Sequence, residues 1–142
     1  MAEATFPGKN GRIAYTDWDG GKDYEIYTIN PDRSGKRQLT HNNTDDFDPS
    51  YSPDAKKIVY AGQDGPKGDL EIYTINASGG DKFQLTNSDV DEEWPTYSPD
   101  GKKIAYMGPD GGIYSIKVGG GGKSRVTNND AYPPKLSWGK RP

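Results

Sequence analysis

Residues 95–106 read Pro-Thr-Tyr-Ser-Pro-Asp-Gly-Lys-Lys-Ile-Ala-Tyr, and residues 49–60 read Pro-Ser-Tyr-Ser-Pro-Asp-Ala-Lys-Lys-Ile-Val-Tyr. In both stretches a short Tyr-Ser strand runs into a Pro-Asp turn, where proline presets φ and a following glycine tolerates a positive φ. A second strand rich in β-branched and aromatic residues comes next. The chain therefore contains a repeated β-hairpin, and repeats of this period are typical of propellers, solenoids and arrays.

The repeat extends outward in both directions, and a first copy begins with Ile-Ala-Tyr at 13–15. The three Ile-x-Tyr blocks are separated by 45 and 46 residues. Two further blocks follow in the same order, namely Ile-Tyr-(Thr/Ser)-Ile at 26–29, 72–75 and 113–116, and Gln-Leu-Thr or Arg-Val-Thr at 38–40, 84–86 and 125–127. Four blocks in one order at one period indicate three copies of a single structural unit.

Each unit is predicted to contain four short strands, because no window of about 10 to 12 residues with a helical period lacks Gly or Pro. The strands at 58–61 and 72–75 carry apolar or aromatic groups on both alternating faces. In a sandwich strand with one solvent-exposed face, apolar residues would instead alternate with charged ones. Sheets covered on both faces and repeated in this way predict an all-β propeller with three four-stranded blades per chain.

We expect residues 1–142 to form a single half-propeller domain. The predicted parts are blade 1 at about residues 6–45, blade 2 at about 46–91, blade 3 at about 92–131 and a closing strand at 132–142.

Composition excludes several functions. The chain has 18 Lys and Arg against 21 Asp and Glu, a net charge of −3, so it lacks the basic character expected of a nucleic-acid partner. It has no cysteine, which excludes disulfides, thiolate metal sites and cysteine nucleophiles. The one histidine, His41, follows an outer strand and is predicted to be a surface turn residue. No apolar run is long enough for membrane insertion.

The block Tyr-Ser-Pro-Asp-Gly-Lys-Lys-Ile-Ala-Tyr, followed by Glu-Ile-Tyr-Thr-Ile-Asn and Gln-Leu-Thr, resembles the TolB-like β-propeller repeat from about residue 6 to residue 142. The resemblance implies a propeller fold and non-catalytic docking of partner proteins on one face of a ring. It also implies a periplasmic or secreted location, although residues 1–4 show neither the basic nor the apolar stretch of a signal peptide.

Strand counting predicts how the ring closes. The first unit lacks an innermost strand, whereas residues 134–141, Pro-Lys-Leu-Ser-Trp-Gly-Lys-Arg, supply an extra one with no blade after it. Three blades cannot close a ring, since propellers typically have about 4 to 8. We expect a homodimer that forms one six-bladed ring, in which each C-terminal strand completes the partner's first blade. The alternative is that the chain is a piece of a longer propeller.

Acidic residues precede the innermost strands, at loops that gather at one mouth of a propeller channel. The candidate binding residues are Asp45, Asp46, Asp48, Asp91, Glu92, Glu93, Asp130 and Tyr132. Twofold symmetry would double this charge and attract a basic protein or peptide segment, or a divalent cation. The alternative is that these residues are only solvated loop positions, because exposed loops are normally polar.

The expected function is a non-catalytic binding or scaffold propeller, because the chain has no Cys, one His at a turn and no Gly-x-Ser-x-Gly motif. Two alternatives use the same channel-mouth carboxylates, a metal-dependent propeller enzyme and a carbohydrate-binding module. We expect no cofactor. If the chain is instead a metal-dependent enzyme, we expect its metal to be calcium.

Residues 17–25, Asp-Trp-Asp-Gly-Gly-Lys-Asp-Tyr-Glu, have the alternating oxygen donors of a calcium loop. An EF-hand requires Gly at position 6 and Glu at position 12, and this stretch has neither. Because Asp-Gly is favoured in tight hairpins, we predict a hairpin turn here.

Overall fold

A computed structural model describes residues 11–127 and 136–142. The described residues contain β-strands and turns, and none is helical. The strands, in chain order, are β1 Ile13–Trp18, β2 Tyr24–Ile29, β3 Arg37–Gln38, β4 Asp46–Tyr51, β5 Lys57–Gly62, β6 Glu71–Asn76, β7 Phe83–Gln84, β8 Glu93–Tyr97, β9 Lys103–Met107, β10 Ile113–Lys117 and β11 Ser124–Arg125.

The strands form three antiparallel sheets that follow one another along the chain. Their orders are β1-β2-β3, β4-β5-β6-β7 and β8-β9-β10-β11. Consecutive strands that meander outward from the innermost one are the pattern of propeller blades. The predicted all-β propeller with three blades is confirmed, and the described part of the first blade has three strands. Closure of the ring by a second chain stays a prediction.

The Ser-Pro-Asp turns join the innermost strand of a blade to its second strand. The Ser52 hydroxyl donates to Oδ1 of Asp54 over 2.6 Å, which closes the turn through a side chain. The residue after this aspartate is Ala55 in blade 2, with φ at 61°, and Gly101 in blade 3, with φ at 73°. Both turns therefore need a left-handed residue, as the sequence pattern predicts.

Each blade has two faces. The front face carries the Ile and Tyr of the Ile-x-Tyr block, and the back face carries the residue between them. At the first junction, Ile58 and Tyr60 on the front face of blade 2 pack against Ile26 and Leu39 of blade 1. All four side chains are buried, so this junction is a continuous apolar core.

The second junction repeats the first one blade further along. Val59 and Leu85 on the back face of blade 2 contact the cluster that contains Ile104 and Tyr106 of blade 3. The alternation of side chains along each central strand thus places one set of apolar groups in each junction.

Residues 136–142 form no strand in the single chain. Residues 136–139 line a cavity of about 220 Å³ with Ala105, Ile113 and Val126 on the back face of blade 3. The closing strand predicted at 132–142 lies partly outside the described residues, and its pairing with a partner chain stays a prediction.

Candidate functional site

An axial groove runs along the inner edge of the three blades. Its volume is about 400 Å³, and it is lined by Ala14, Tyr15, Thr16, Asp48, Pro49, Ser50, Trp94, Pro95 and Leu136. Each blade contributes its innermost described strand, because these strands face the axis of the arc. The groove combines two aromatic rings, a carboxylate and several small polar groups, which suits recognition of a peptide or another amphipathic ligand.

Asp48 and Trp94 occupy the same position in consecutive blades and share an unusual backbone. Their φ angles are 57° and 53°, in the left-handed region that non-glycine residues seldom adopt. The pairing register shifts at both places, between Phe47 and Ser50 in β4 and between Glu93 and Thr96 in β8. A β-bulge of this kind re-aims a side chain, and here both bulged residues line the groove.

Two of the predicted site residues act as ties between blades. Oδ1 of Asp45 accepts a hydrogen bond from the backbone N–H of Tyr24 over 3.0 Å. Oδ1 of Asp91 accepts one from the backbone N–H of Leu70 over 2.8 Å. Asp45 thereby ties the residue before β4 to the start of β2 in blade 1. Asp91 ties the loop before β8 to the residue before β6 in blade 2.

Asp46 and Glu92 are fully buried in the blade junctions. The pKa of Asp46 is raised to about 7, chiefly by burial and also by the neighbouring Glu25 carboxyl, although a hydrogen bond from Asn42 acts to lower it. Burial also raises the pKa of Glu92. These two carboxyl groups are therefore enclosed by protein, and a partner on the channel face could not contact them directly.

The structure brings Asp48, Asp91 and Glu93 into one electrostatic environment. Burial raises the pKa of Glu93, and the charges of Asp91 and Asp48 raise it further. Of these three residues Asp48 lines the groove, and Glu93 directly precedes the groove residue Trp94 in β8. Asp130 and Tyr132 lie outside the described residues.

Sequence reasoning missed two buried carboxylates, Glu25 and Glu71. The Thr86 hydroxyl donates to Oε2 of Glu71 over 2.6 Å and accepts a hydrogen bond from the N–H of Ile72 over 2.8 Å. Thr40 makes the same two contacts with Glu25 and Ile26. The sequence did contain a signal for these Glu–Thr contacts, because Glu-Ile-Tyr-Thr-Ile-Asn and Gln-Leu-Thr recur together in two copies.

Among the channel-mouth carboxylates that the structure describes, no three have ligand atoms close together. In the part of the chain that the structure describes, the one group of three acidic residues with ligand atoms within 4.8 Å of one another is Asp19, Asp23 and Glu25. His41 is exposed at a turn, as predicted. The described residues contain no helix long and apolar enough to span a membrane.

Four-stranded sheets stacked through their apolar faces, with short polar loops along an inner groove, define a β-propeller repeat protein. The family model of the TolB beta propeller domain matches residues 10–141. The chain belongs to this family, which supports a binding or scaffold role. No curated protein matches the chain significantly.

Solved structures with the same fold include a putative TolB from Agrobacterium tumefaciens, with 21% identity, a TM-score of 0.70 and 80% of this chain covered. TolB from Acinetobacter baumannii has 25% identity and a TM-score of 0.68 over 82% of this chain. The chain spans only 44% and 29% of the length of these two proteins. An oligogalacturonate lyase in complex with manganese has 19% identity and a TM-score of 0.53; 71% of this chain and 28% of the lyase are covered, and the likeness is one of fold.

Proposed function

We propose that this chain is a non-catalytic binding module that closes a six-bladed ring as a twofold homodimer and docks a protein or peptide on the acidic face of the channel. One observation carries the proposal. The two terminal blade faces of the chain are the two halves of the junction that repeats inside it. Family membership supports a periplasmic or secreted location for this module.

The front face of blade 1 has the residues of an internal junction but no blade against it. Ile13 is 51% exposed, whereas Ile58 and Ile104 at the same repeat position are fully buried. Beside it Tyr15 stacks on Tyr27 with ring centroids 5.9 Å apart. An apolar face of this composition favours association with a matching surface.

The back face of blade 3 is the complementary half. Val126 is 61% exposed, whereas Leu39 and Leu85, at the same repeat position, are 7% and 8% exposed. At both junctions inside the chain, the back face of one blade packs against the front face of the next. Two copies related by a twofold axis along the channel would form that junction twice, which gives six blades and leaves neither face uncovered.

The first sheet offers an edge for the exchanged strand. In blades 2 and 3 an innermost strand pairs with the second strand, but in the described part of blade 1 the sheet ends at β1. Leu136 has the repeat position of Tyr51 and Tyr97, which lie in the innermost strands of the other blades. Pairing of residues 132–142 with β1 of the partner would cover that edge, which otherwise invites association.

The partner is expected to carry basic and apolar groups. Asp48, Asp91 and Glu93 provide negative charge near the groove, and twofold symmetry would present each of them twice. Trp94 provides aromatic surface next to this charge. Such a channel attracts a cationic segment over several ångströms and anchors it by ring contacts.

Light scattering tests the assembly. The wild-type chain should have twice its monomer mass of 15.6 kDa. Ile13→Glu and Val126→Glu should each shift the mass to the monomer value, because either charge is placed in both junctions of the ring. Phe83→Glu is the matched control, since Phe83 is also exposed but lies on neither terminal face. A wild-type chain that remains monomeric, or an Ile13→Glu chain that remains dimeric, would contradict the proposal.

Fluorescence anisotropy with a labelled Lys- and Arg-rich peptide tests the docking surface. Binding should weaken with added salt, because exposed charges are screened. Asp48→Asn should weaken binding about threefold to tenfold, with Asn chosen because it tolerates a left-handed backbone. Asp32→Asn, an exposed change in the outer turn after β2, should leave affinity unchanged. Equal effects of the two variants would exclude the groove as the docking surface.

A further inference from the structure

The turn between β1 and β2 brings three carboxyl groups together away from the axial groove. Ligand oxygens of Asp19, Asp23 and Glu25 all lie within 4.8 Å of one another. The predicted hairpin turn is present, with the N–H of Asp19 donating to the carbonyl of Asp23 over 3.1 Å. The turn therefore holds an all-oxygen cluster that the hairpin itself does not require.

Asp23 is the informative member of the cluster. Asp23 is only 4% exposed, and no N–H or hydroxyl group donates a hydrogen bond to either of its carboxylate oxygens. A buried carboxylate without a donor or a cation is strongly unfavourable. Two further carboxylates beside it increase the repulsion, so a bound cation would stabilise the arrangement.

The other two carboxylates are already fixed in position. Oδ1 of Asp19 accepts hydrogen bonds from the N–H groups of Gly21 and Lys22 over 2.7 and 3.0 Å. Glu25 accepts from the Thr40 hydroxyl over 2.5 Å and from the Asn42 N–H over 2.9 Å. Each carboxylate oxygen has two lone pairs, so these bonds orient the groups and leave acceptor capacity for a cation.

We propose that Asp19, Asp23 and Glu25 form a Ca²⁺ site at the junction between the first hairpin and the loop that leads into blade 2. Calcium takes oxygen ligands in flexible geometry, which suits a set from an irregular turn. Magnesium demands a near-ideal octahedron, and zinc or copper would prefer nitrogen or sulfur donors. Because Glu25 also holds Thr40 and Asn42, bound calcium would fasten the hairpin to the next blade.

The equivalent turn of blade 2 provides an internal comparison. Asp64, Asp69 and Glu71 have the corresponding acidic positions, but Asp64 forms an ion pair with Lys82. Asp69 is half-exposed rather than buried. Within the described residues only the blade 1 turn thus keeps its three carboxylates together without a cationic side chain among them.

Calorimetric titration with CaCl₂ tests the site on the full chain after removal of metal with EDTA. One Ca²⁺ should bind per chain, with Kd on the order of 10⁻⁵ to 10⁻³ M. Asp23→Asn should weaken binding at least about tenfold, because it removes the most enclosed charged ligand. Asp69→Asn should bind calcium as the wild type does. Absence of binding at millimolar calcium, or equal loss in both variants, would overturn the proposal, and so would tighter binding of Mg²⁺ than of Ca²⁺.

Thermal unfolding distinguishes a lost ligand from a damaged fold. In EDTA, Asp23→Asn should melt at the wild-type temperature or above it, because the variant relieves carboxylate repulsion. With millimolar CaCl₂ the wild type should gain stability by mass action, whereas the variant should not. A wild-type melting temperature that calcium leaves unchanged would count against the site. So would a variant that gains as much from calcium as the wild type.

Discussion

Asp46 and Gly62 are paired across β4 and β5, and a Cβ atom placed on Gly62 would lie 2.5 Å from Oδ1 of Asp46. The same atom would lie 3.1 Å from a ring carbon of Tyr60 and 3.4 Å from one of Tyr73. The glycine therefore makes room for a buried carboxyl group beside Tyr60 and Tyr73, whose rings stack on each other. A junction between blades depends on the smallest side chain in its central strand.

Gly62→Ala should destabilise the protein by about 1 to 3 kcal/mol, the usual cost of overpacking a well-packed core. The free energy of unfolding in urea measures the effect. Gly119→Ala is the matched control, because nothing lies within 4 Å of its Cβ position and its φ is not positive. A Gly62→Ala chain as stable as the control would show that the junction can relax around a methyl group.

Ala55→Gly should stabilise the protein by about 0.5 to 1 kcal/mol. Ala55 has a φ of 61°, and a left-handed residue other than glycine costs about 1 to 2 kcal/mol, part of which the greater chain entropy of glycine offsets. Gly101→Ala, at the same position of blade 3, should produce the opposite change. Melting temperatures of the two variants test the pair, and a shift of the same sign in both would contradict the argument.

Thr86→Val should destabilise the protein by about 2 to 4 kcal/mol, because it leaves the N–H of Ile72 and one oxygen of Glu71 buried without a partner. Thr86→Ser should recover most of the loss, since the hydroxyl returns. Thr127→Val should cost less, because Gly112 stands where the other blades have glutamate and Thr127 is only half-buried. Urea unfolding of the three variants gives the ranking, and equal losses for Thr86→Val and Thr127→Val would refute the role of the carboxylate.

Glu92→Gln should flatten the dependence of stability on pH. Burial raises the folded-state pKa of Glu92 above its usual value of 4.5, so the folded protein retains a proton that the unfolded chain releases. The stability from this group is complete below pH 4.5 and is lost as pH rises through the raised pKa. The wild type should therefore lose more stability between acid and neutral pH than Glu92→Gln does. Asp69→Asn, a control at a partly exposed carboxylate, should follow the wild-type curve, and parallel curves for all three would refute the prediction.

Much of the fold could be predicted from local sequence. The Ser-Pro-Asp turn and the strands at 58–61 and 72–75 are dictated by side-chain alternation and by turn chemistry, which act over a few residues. The three-copy repeat was equally visible, because its Ile-x-Tyr blocks recur at intervals of 45 and 46 residues.

The candidate site was harder to predict. Asp45, Asp46 and Asp48 stand close together in the sequence, yet one ties two blades together, one is buried and one lines the groove. Asp45 and Asp46 precede the bulge and differ because successive residues of an extended chain point to opposite faces. The bulge between Phe47 and Ser50 re-aims Asp48 toward the groove. Nothing in the residue types at these positions indicates a bulge.

The repeating unit, the order of its strands and the two apolar faces of every blade follow from local sequence, because they depend on a period of two residues and on turn residues. Which carboxylates are enclosed, which meet in a turn and which face the axis depends on how the chain folds. Burial and charge repulsion depend on neighbours far apart in the chain, and Asp23 and Glu25 acquire their surroundings only when the loop that carries Thr40 and Asn42 packs against their hairpin.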